Sequence, residues 1–457
     1  MPQDKLVRRT IRGALTVALV VVCLAAYLHI AETQSSINHN MRYTDQSAYM
    51  DAAIKAHETR FAYTGDRNRM PLYPFLQALF YSPDMSMEDF FQHGKQLNIA
   101  LSIVCIAVLS AVFFARFSKL YATYSMLLIA LIVFAIKSPF FQAELLFYTL
   151  FSLTFVLSID TIKQPKLYKT IALGLMFALC QYTKASAMPG LFIFSFSYSV
   201  PLLARLRRLE LKRGSLMRLL FSAFAPILVF LLLLSPYLLE SKANYGHYFY
   251  NVNTTFYLWY DSWDEAKAGT LAAGDHEGWP DLPDEEIPSL QKYLDEHSAQ
   301  DILQRFRDGF ATIFKSACQI EGPFRYAYGY CSQVGLGLLT LAGSIALIVK
   351  RPGLRLSDSS WQIAIYALVF FSVYFVAFAW YMPIIIRGGR TVLSLLIPIL
   401  WVTGLAVHHP RVQRLQVKIN GREIRLFHLV YGLMMLTLGV EIYRMITVGA
   451  ATYWAGP

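Results

Sequence analysis

Charge is what this sequence has least of. Only 16% of its 457 residues are charged, where a soluble domain carries about a quarter. A large soluble enzyme is excluded on that ground, because the apolar residues run in unbroken blocks instead of lining one face of each element. Cysteines are few, five in all. No Cys-x-x-Cys or Cys/His spacing occurs among them, which excludes zinc-finger and dithiol chemistry. Internal repeats of the kind many transporters carry are missing. Glycine- and serine-rich stretches are missing too, so the two longest polar segments do not read as floppy tethers. Acids are nearly absent from the short loops.

What is present are blocks of roughly 17–25 apolar residues, the length a helix needs to cross a bilayer. The expected fold is an all-α polytopic membrane protein with about eleven spans. They centre in 13–31, 97–115, 120–136, 143–159, 168–183, 187–204, 219–238, 332–349, 361–380, 391–407 and 427–447. With the N-terminus inside, the inner segments are 5–12, 116–119, 163–169, 205–218, 350–355 and 411–425. They hold about half of all Lys and Arg, the positive-inside pattern. This bias accounts for the net charge of +11 and leaves no need for a nucleic-acid partner. The first block, Gly13 to Ile30, is longer than a signal-peptide core and no small-x-small site closes it, so it reads as an anchored span.

Three regions are expected: a transmembrane module over 1–238, including an outer loop at 31–96; an outer loop over 239–331; and a second transmembrane module over 332–457. In the first loop, 45–58 and 71–82 form short helices suited to the membrane interface. In the second, 287–316 alternates charge with Leu, Ile and Phe at helical spacing and reads as one or two amphipathic helices. Cys23, Cys105 and Cys180 fall in spans as packing residues. Cys318 and Cys331 lie outside and are expected to pair in an oxidising compartment.

The chemistry is expected in the first outer loop. It reads Tyr43-Thr-Asp45-Gln-Ser-Ala-Tyr49, then Gly65-Asp-Arg67-Asn-Arg69-Met-Pro71-Leu-Tyr73-Pro74. A carboxylate can take a proton as general base. A guanidinium can hold a phosphate bidentately and stabilise the charge that grows on a leaving group. The plainer alternatives are that Asp45 caps the next helix and that Arg69 anchors at the interface. The acid after the first span and the Arg-x-Pro-Leu-Tyr-Pro turn resemble the first periplasmic loop of GT-C glycosyltransferases. The branch is similar to bacterial aminoarabinose transferases and protein O-mannosyltransferases. Relatives usually show Asp-Glu where this chain has Asp45-Gln46, and Glu-Lys-Pro-Pro where it has Asn68-Arg69-Met70-Pro71. The missing acids put any metal held there in relatives in doubt.

The resemblance continues over about 400 residues, in order and on one expected membrane face. Gly174 to Lys184 is similar to the family's Gly-Leu-…-Thr-Lys segment, which implies a phosphate contact for Lys184; snorkelling is the alternative. Asn244-Tyr-Gly-His247 resembles the segment after the seventh span, with His247 near the cavity or in an aromatic interface belt. Trp380-Tyr381-Met-Pro383, then Arg387-Gly-Gly-Arg390, resembles the late Arg-x-x-Leu-x-x-Pro segment. It implies Arg390 as a further phosphate ligand, with Arg387 as the fallback. Glu144 stands at the outer mouth of the fourth span, facing a cavity or neutralising Lys137 or Lys184. Arg67, Tyr73 and Tyr381 complete the candidate cavity.

The resemblance thus implies an inverting sugar transferase with Asp45 as base and Arg69, Lys184 and Arg390 as a phosphate clamp. Its donor is a polyprenyl-phosphate sugar; its acceptor is a lipid, glycan or protein; membrane lipids surround it. It requires no cofactor and leaves a divalent metal open. The implied location is the bacterial inner membrane, with a cytoplasmic N-terminus and a periplasmic site. The alternatives are an O-antigen polymerase or ligase, which keeps its key residues in a late loop, and a multi-span transporter.

Overall fold

The computed structural model describes residues 3–42, 45–62, 68–207, 213–272, 283, 287–317, 358–384, 392–419 and 421–449. Its first helix, α1 (Gln3–Ile37), ends in the first loop. Two short helices follow, α2 (Gln46–Glu58) and α3 (Leu72–Ala78), packed on each other. They match the two short helices expected there. Next comes α4 (Met87–Arg116). Its start is fixed by Ser86, whose hydroxyl oxygen accepts from the Asp89 amide at 3.1 Å, as an N-cap serine does.

Helix α5 (Lys119–Leu127) runs on through a π-helical stretch, Leu128–Phe134, and one further turn, Ala135–Lys137. Three more helices follow: α6 (Glu144–Lys163), α7 (Leu167–Thr183) and α8 (Met188–Arg207). Then comes α9 (Arg213–Tyr245), which carries Pro226 and Pro236 within it.

Seven helices among the described residues are long and apolar enough to cross a membrane. They are Val20–Ile37, Met87–Arg116, Lys119–Lys137, Glu144–Lys163, Leu220–Tyr245, Trp361–Tyr381 and Leu426–Thr447, with a shorter apolar helix at Leu393–Val407. The chain is an all-α polytopic membrane protein. The expected spans at 168–183 and 187–204 are helical, as α7 and α8. The one at 332–349 lies outside the described residues, as do Cys318 and Cys331.

Beyond α9 come α10 (Val252–Thr255), a 3-10 turn at Tyr257–Trp259, and α11 (Trp263–Ala272). The amphipathic stretch forms two helices, α12 (Leu290–Glu296) and α13 (Ala299–Ala317). Helix α13 packs on α14 (Asp358–Tyr381). The crossing needs Gly309, because a Cβ there would meet the Ala379 carbonyl oxygen at 1.9 Å.

One local departure from the expected pattern is a β-hairpin. Strands β1 (Gln416–Ile419) and β2 (Arg422–Arg425) pair antiparallel, with Val417 opposite Ile424. Strand β2 is preceded by Gly421 at φ +75°, and the sequence Asn-Gly at 420–421 is a pattern that favours hairpin turns. The last helix, α15 (Leu426–Arg444), follows directly.

The largest core cluster runs through the long helices, with separate clusters around Tyr49, Tyr73 and Phe141 and around Tyr250 and Tyr257. Between α6 and α14, Phe151 and Phe155 pack against Tyr366, Phe370 and Tyr374. In lipid such contacts act through close packing and interhelical hydrogen bonds, since lipid tails are as apolar as the side chains. Lipid-facing apolar residues remain exposed, as with Leu429, Leu433 and Leu436 on α15.

Candidate active site

The site lies where the first loop, the segment before α6 and the end of α7 meet. Asp45 occupies the N-cap position of α2, yet its side chain makes no capping hydrogen bond. Its Oδ1 instead lies 3.0 Å from Nη2 of Arg69. The Arg69 side chain is 11% exposed and that of Asp45 27%, so the pair is partly shielded from solvent. The guanidinium also lies over the Tyr49 ring, 5.1 Å from its centroid, adding a cation–π contact.

Tyr49 in turn meets Tyr73 edge-to-face, 5.2 Å between centroids. Tyr73 is fully buried. Its hydroxyl accepts from Nε2 of Gln77 at 2.9 Å and is hydrogen-bonded to the Gln142 backbone. Burial, then the charges of Tyr49 and Glu144, push its phenol well above the ordinary value. Tyr73 is therefore a neutral wall of the site.

Glu144 opens α6 and is almost fully buried. Lys184, one of the two lysines open to it on sequence, pairs with it at 2.9 Å. Lys184 is the residue at which α7 ends, and the turn that carries it is braced twice. Oε1 of Gln181 accepts from the Ala187 and Met188 amides. The Tyr374 hydroxyl donates to the Ser186 carbonyl and accepts from the Gly190 amide.

Arg69 is thus linked through Tyr49 to Tyr73, on whose phenol the charge of Glu144 also acts. The remaining candidates divide. Tyr381 joins the surroundings of Arg69, since its hydroxyl donates to Oδ1 of Asn253 at 2.7 Å and Asn253 bonds Asn68. His247 sits exposed just past α9, where its carbonyl accepts from Ser241. Arg67, Arg387 and Arg390 lie outside the described residues.

Several residues that sequence reasoning passed over hold this arrangement. Gln46 is fully buried and uses its amide in both directions. Oε1 accepts from Nδ2 of Asn38 and from the Phe141 amide, both at 2.9 Å. Nε2 donates to Oδ1 of Asn38 at 3.2 Å and to the Asn40 carbonyl at 3.0 Å. Asn98 donates to the Phe140 and Gln142 carbonyls. The segment that delivers Glu144 is stitched in this way to the loop that delivers Asp45. The Phe141 ring can lie on α4 because position 94 is glycine, where a Cβ would fall 2.0 Å from it.

Lys95 is fully buried too and donates to the Ser35 and Asn38 carbonyls, closing the end of α1. Its sequence neighbours Gln92, His93, Gln96 and Asn98 are polar, so the sequence did not set it apart from the outer loop.

The described donors at this site are already engaged. The Gln46 side-chain oxygen is occupied by two N–H groups, and Asp45 already neutralises Arg69. Among the described residues no three His, Cys, Asp or Glu side chains gather.

No protein-family model matches the sequence, and no curated protein matches it. Among solved structures the chain is similar to the oligosaccharyltransferase of Archaeoglobus fulgidus. The complex with Zn and sulfate shares 14% identity at a TM-score of 0.46, covering 94% of this chain and 53% of that one. The form tethered to an acceptor peptide containing the NVT sequon gives 14% and 0.46, over 94% and 55%. The apo form gives 14% and 0.45, over 96% and 56%. The chain therefore spans about half the length of these structures. So loose a likeness assigns no role to any residue.

Proposed function

We propose that this chain is a GT-C-type glycosyltransferase that moves a sugar from a polyprenyl monophosphate to a periplasmic acceptor. It belongs on this reading to the bacterial cytoplasmic membrane. The observation that supports it is the pairing of Asp45 with Arg69 at 3.0 Å, beside which stands the reading of the Glu144–Lys184 pair, formed at 2.9 Å, as its complement. On this reading the two pairs supply a base and two phosphate ligands, each cation held by a carboxylate until a substrate arrives.

The donor phosphate exchanges partners with them. Arg69 turns from Asp45 to two phosphate oxygens, a planar fork on a planar acceptor edge, and Lys184 adds a second charge. Asp45 is released to receive the proton of the acceptor hydroxyl. The acceptor oxygen bonds to the anomeric carbon from the face opposite the phosphate. The carbon–oxygen bond to phosphate breaks, and its electron pair leaves on the polyprenyl phosphate, where the two cations stabilise the added charge. The anomeric centre inverts. The proton on Asp45 passes to water once product departs. No step is routed through a metal. The acceptor is a lipid, a glycan or a protein, and Arg390 is a further phosphate ligand on this reading.

The test is sugar transfer by the purified protein in nanodiscs, supplied with polyprenyl-phosphate sugars, read by mass spectrometry of the products. Glycolipids and glycoproteins of a deletion strain name the acceptor. Solute uptake with no transfer would establish a transporter instead. Orientation has its own check: a reporter active only in the periplasm should work when fused at Pro457 and stay silent near Arg213.

A further inference from the structure

The backbone that bears Arg69 is held from outside the first loop. Asn251 is buried, and its Nδ2 donates to the Asn68 carbonyl at 3.1 Å. Nδ2 of Asn253 donates to Oδ1 of Asn68 and to Oδ1 of Asn251 at 3.1 Å. Oδ1 of Asn253 accepts from the Tyr381 hydroxyl at 2.7 Å. Three stretches far apart in sequence, at 68, 251–253 and 381, are thereby closed into one amide cluster beside Arg69.

Each arm of the cluster has an independent anchor. Asn251 caps α10, its Oδ1 accepting from the Asn253 amide at 3.1 Å, so the two asparagines are oriented as a unit. The Tyr381 arm is fixed through its neighbour. The Trp380 carbonyl accepts from Nε of Arg305 at 3.0 Å, and the Trp380 indole donates to the Leu258 carbonyl at 2.8 Å. Arg305 also pairs with Asp261 at 2.8 Å. The second polar segment of the chain thus grips the end of α14 and, through Asn253, the residue before Arg69.

We propose that Asn253 is a positioning residue: with Asn251 and Tyr381 it fixes Asn68, and so sets Arg69 for the phosphate of the donor. The proposal rests on the reading of Arg69 as a phosphate ligand. Its chemistry is specific to an amide. Asn253 donates to Asn68 and accepts from Tyr381 at once, which neither aspartate nor alanine can do. Leucine would fill the space and make no bond.

The experiment uses the full chain in nanodiscs, with undecaprenyl phosphate as the probe. Two readouts are taken on wild type, Asn253→Ala, Asn253→Asp, Tyr381→Phe, Arg69→Ala and the Asn253→Ala/Arg69→Ala double variant. One is amide hydrogen exchange over residues 68–70; the other is probe affinity. The expected result is exchange at 68–70 at least about tenfold faster in Asn253→Ala, with global melting nearly unchanged. Probe affinity should fall about three- to tenfold in Asn253→Ala, less in Tyr381→Phe, and no further in the double variant than in Arg69→Ala. Asn253→Asp should behave like Asn253→Ala.

Unchanged exchange in Asn253→Ala overturns the proposal. So does faster exchange with wild-type affinity when Arg69→Ala does weaken binding. Affinity indifferent to Arg69→Ala discards the phosphate reading itself, and the exchange data then report separately on the loop contact. Partial loss in Asn253→Ala that adds fully to Arg69→Ala would mean the asparagine acts elsewhere, which also overturns it.

Discussion

Arg69 and Asp45 form an ion pair 3.0 Å apart, so the proposed phosphate ligand and the proposed base occupy one another in the resting site. Asp45→Asn keeps the shape and removes the basicity. Turnover should fall by roughly 10²–10⁴, the span of general acid–base help, while binding of undecaprenyl phosphate persists. Asparagine serves well as a helix N-cap, so an Asp45→Asn protein with wild-type transfer rates would leave Asp45 only a structural post at the start of α2.

Replacement of Arg69 separates charge from geometry. Arg69→Ala should weaken probe binding and the chemical step together, since the phosphate is present in ground and transition states. Arg69→Lys should recover part of the binding and less of the rate, because lysine offers a point charge and no fork. Equal kinetics for arginine and lysine would show that the fork is not used.

Glu144 and Lys184 can be tested by stability. Lys184→Ala removes an ion-pair partner from a buried carboxylate. Because Lys184 is 31% exposed, the cost should be about 1–2 kcal/mol rather than the roughly 3–5 kcal/mol of a fully enclosed pair. Adding Glu144→Gln should restore most of it, as a double-mutant cycle of melting would reveal. Additive losses would mean the two side chains do not depend on each other.

How much of this could be read beforehand depended on the kind of residue. Asp45, Arg69 and Lys184 stand out because a charge beside an apolar block is conspicuous, and the short helices 45–58 and 71–82 carry their own apolar faces. The amides were invisible. Asn98 and Asn253 take their meaning from partners 42 to 185 residues away, and Gln46 ties nearby Asn38 and Asn40 to Phe141, 95 residues on, which no local pattern encodes. Gln46 read as a lost acid; in the fold it is a buried four-way connector. The hairpin was written in Asn420-Gly421, but the surrounding arginines made it look like an ordinary basic loop.

Gln46→Glu tests that connector. A carboxylate keeps the two accepted bonds and loses both donated ones, turning a negative oxygen on the Asn40 carbonyl. The loss should be about 1–3 kcal/mol for each polar group left unmatched, measured by thermal unfolding. Magnesium or manganese should restore neither stability nor activity in this variant; rescue by either ion would mean that position 46 lies within reach of a metal.

The second polar segment should respond to pH through His297. Burial works against protonating it, and this is outweighed by the bond from Nε2 to Asp261, by the contact of Nδ1 with the Tyr293 carbonyl, and by the charges of Asp261 and Asp301. Its pKa is raised. A histidine raised on folding contributes stability that is complete below its unfolded value and is lost as pH climbs through the folded one. Hydrogen exchange in α12 and the start of α13 should therefore quicken across that window, and His297→Ala should remove the dependence. A flat profile in the wild type would deny the histidine this role.

The resting site also has consequences for how its substrate is found. Asp45 cancels Arg69 and Glu144 cancels Lys184, so these four groups project almost no field beyond a Debye length. A water-borne anion would gain no guidance from them, and its capture would be slow. A lipid-borne donor has no such need, since it travels in the plane of the bilayer and meets the loop by lateral diffusion. The capture rate should then follow the density of donor in the membrane and barely change with bulk salt.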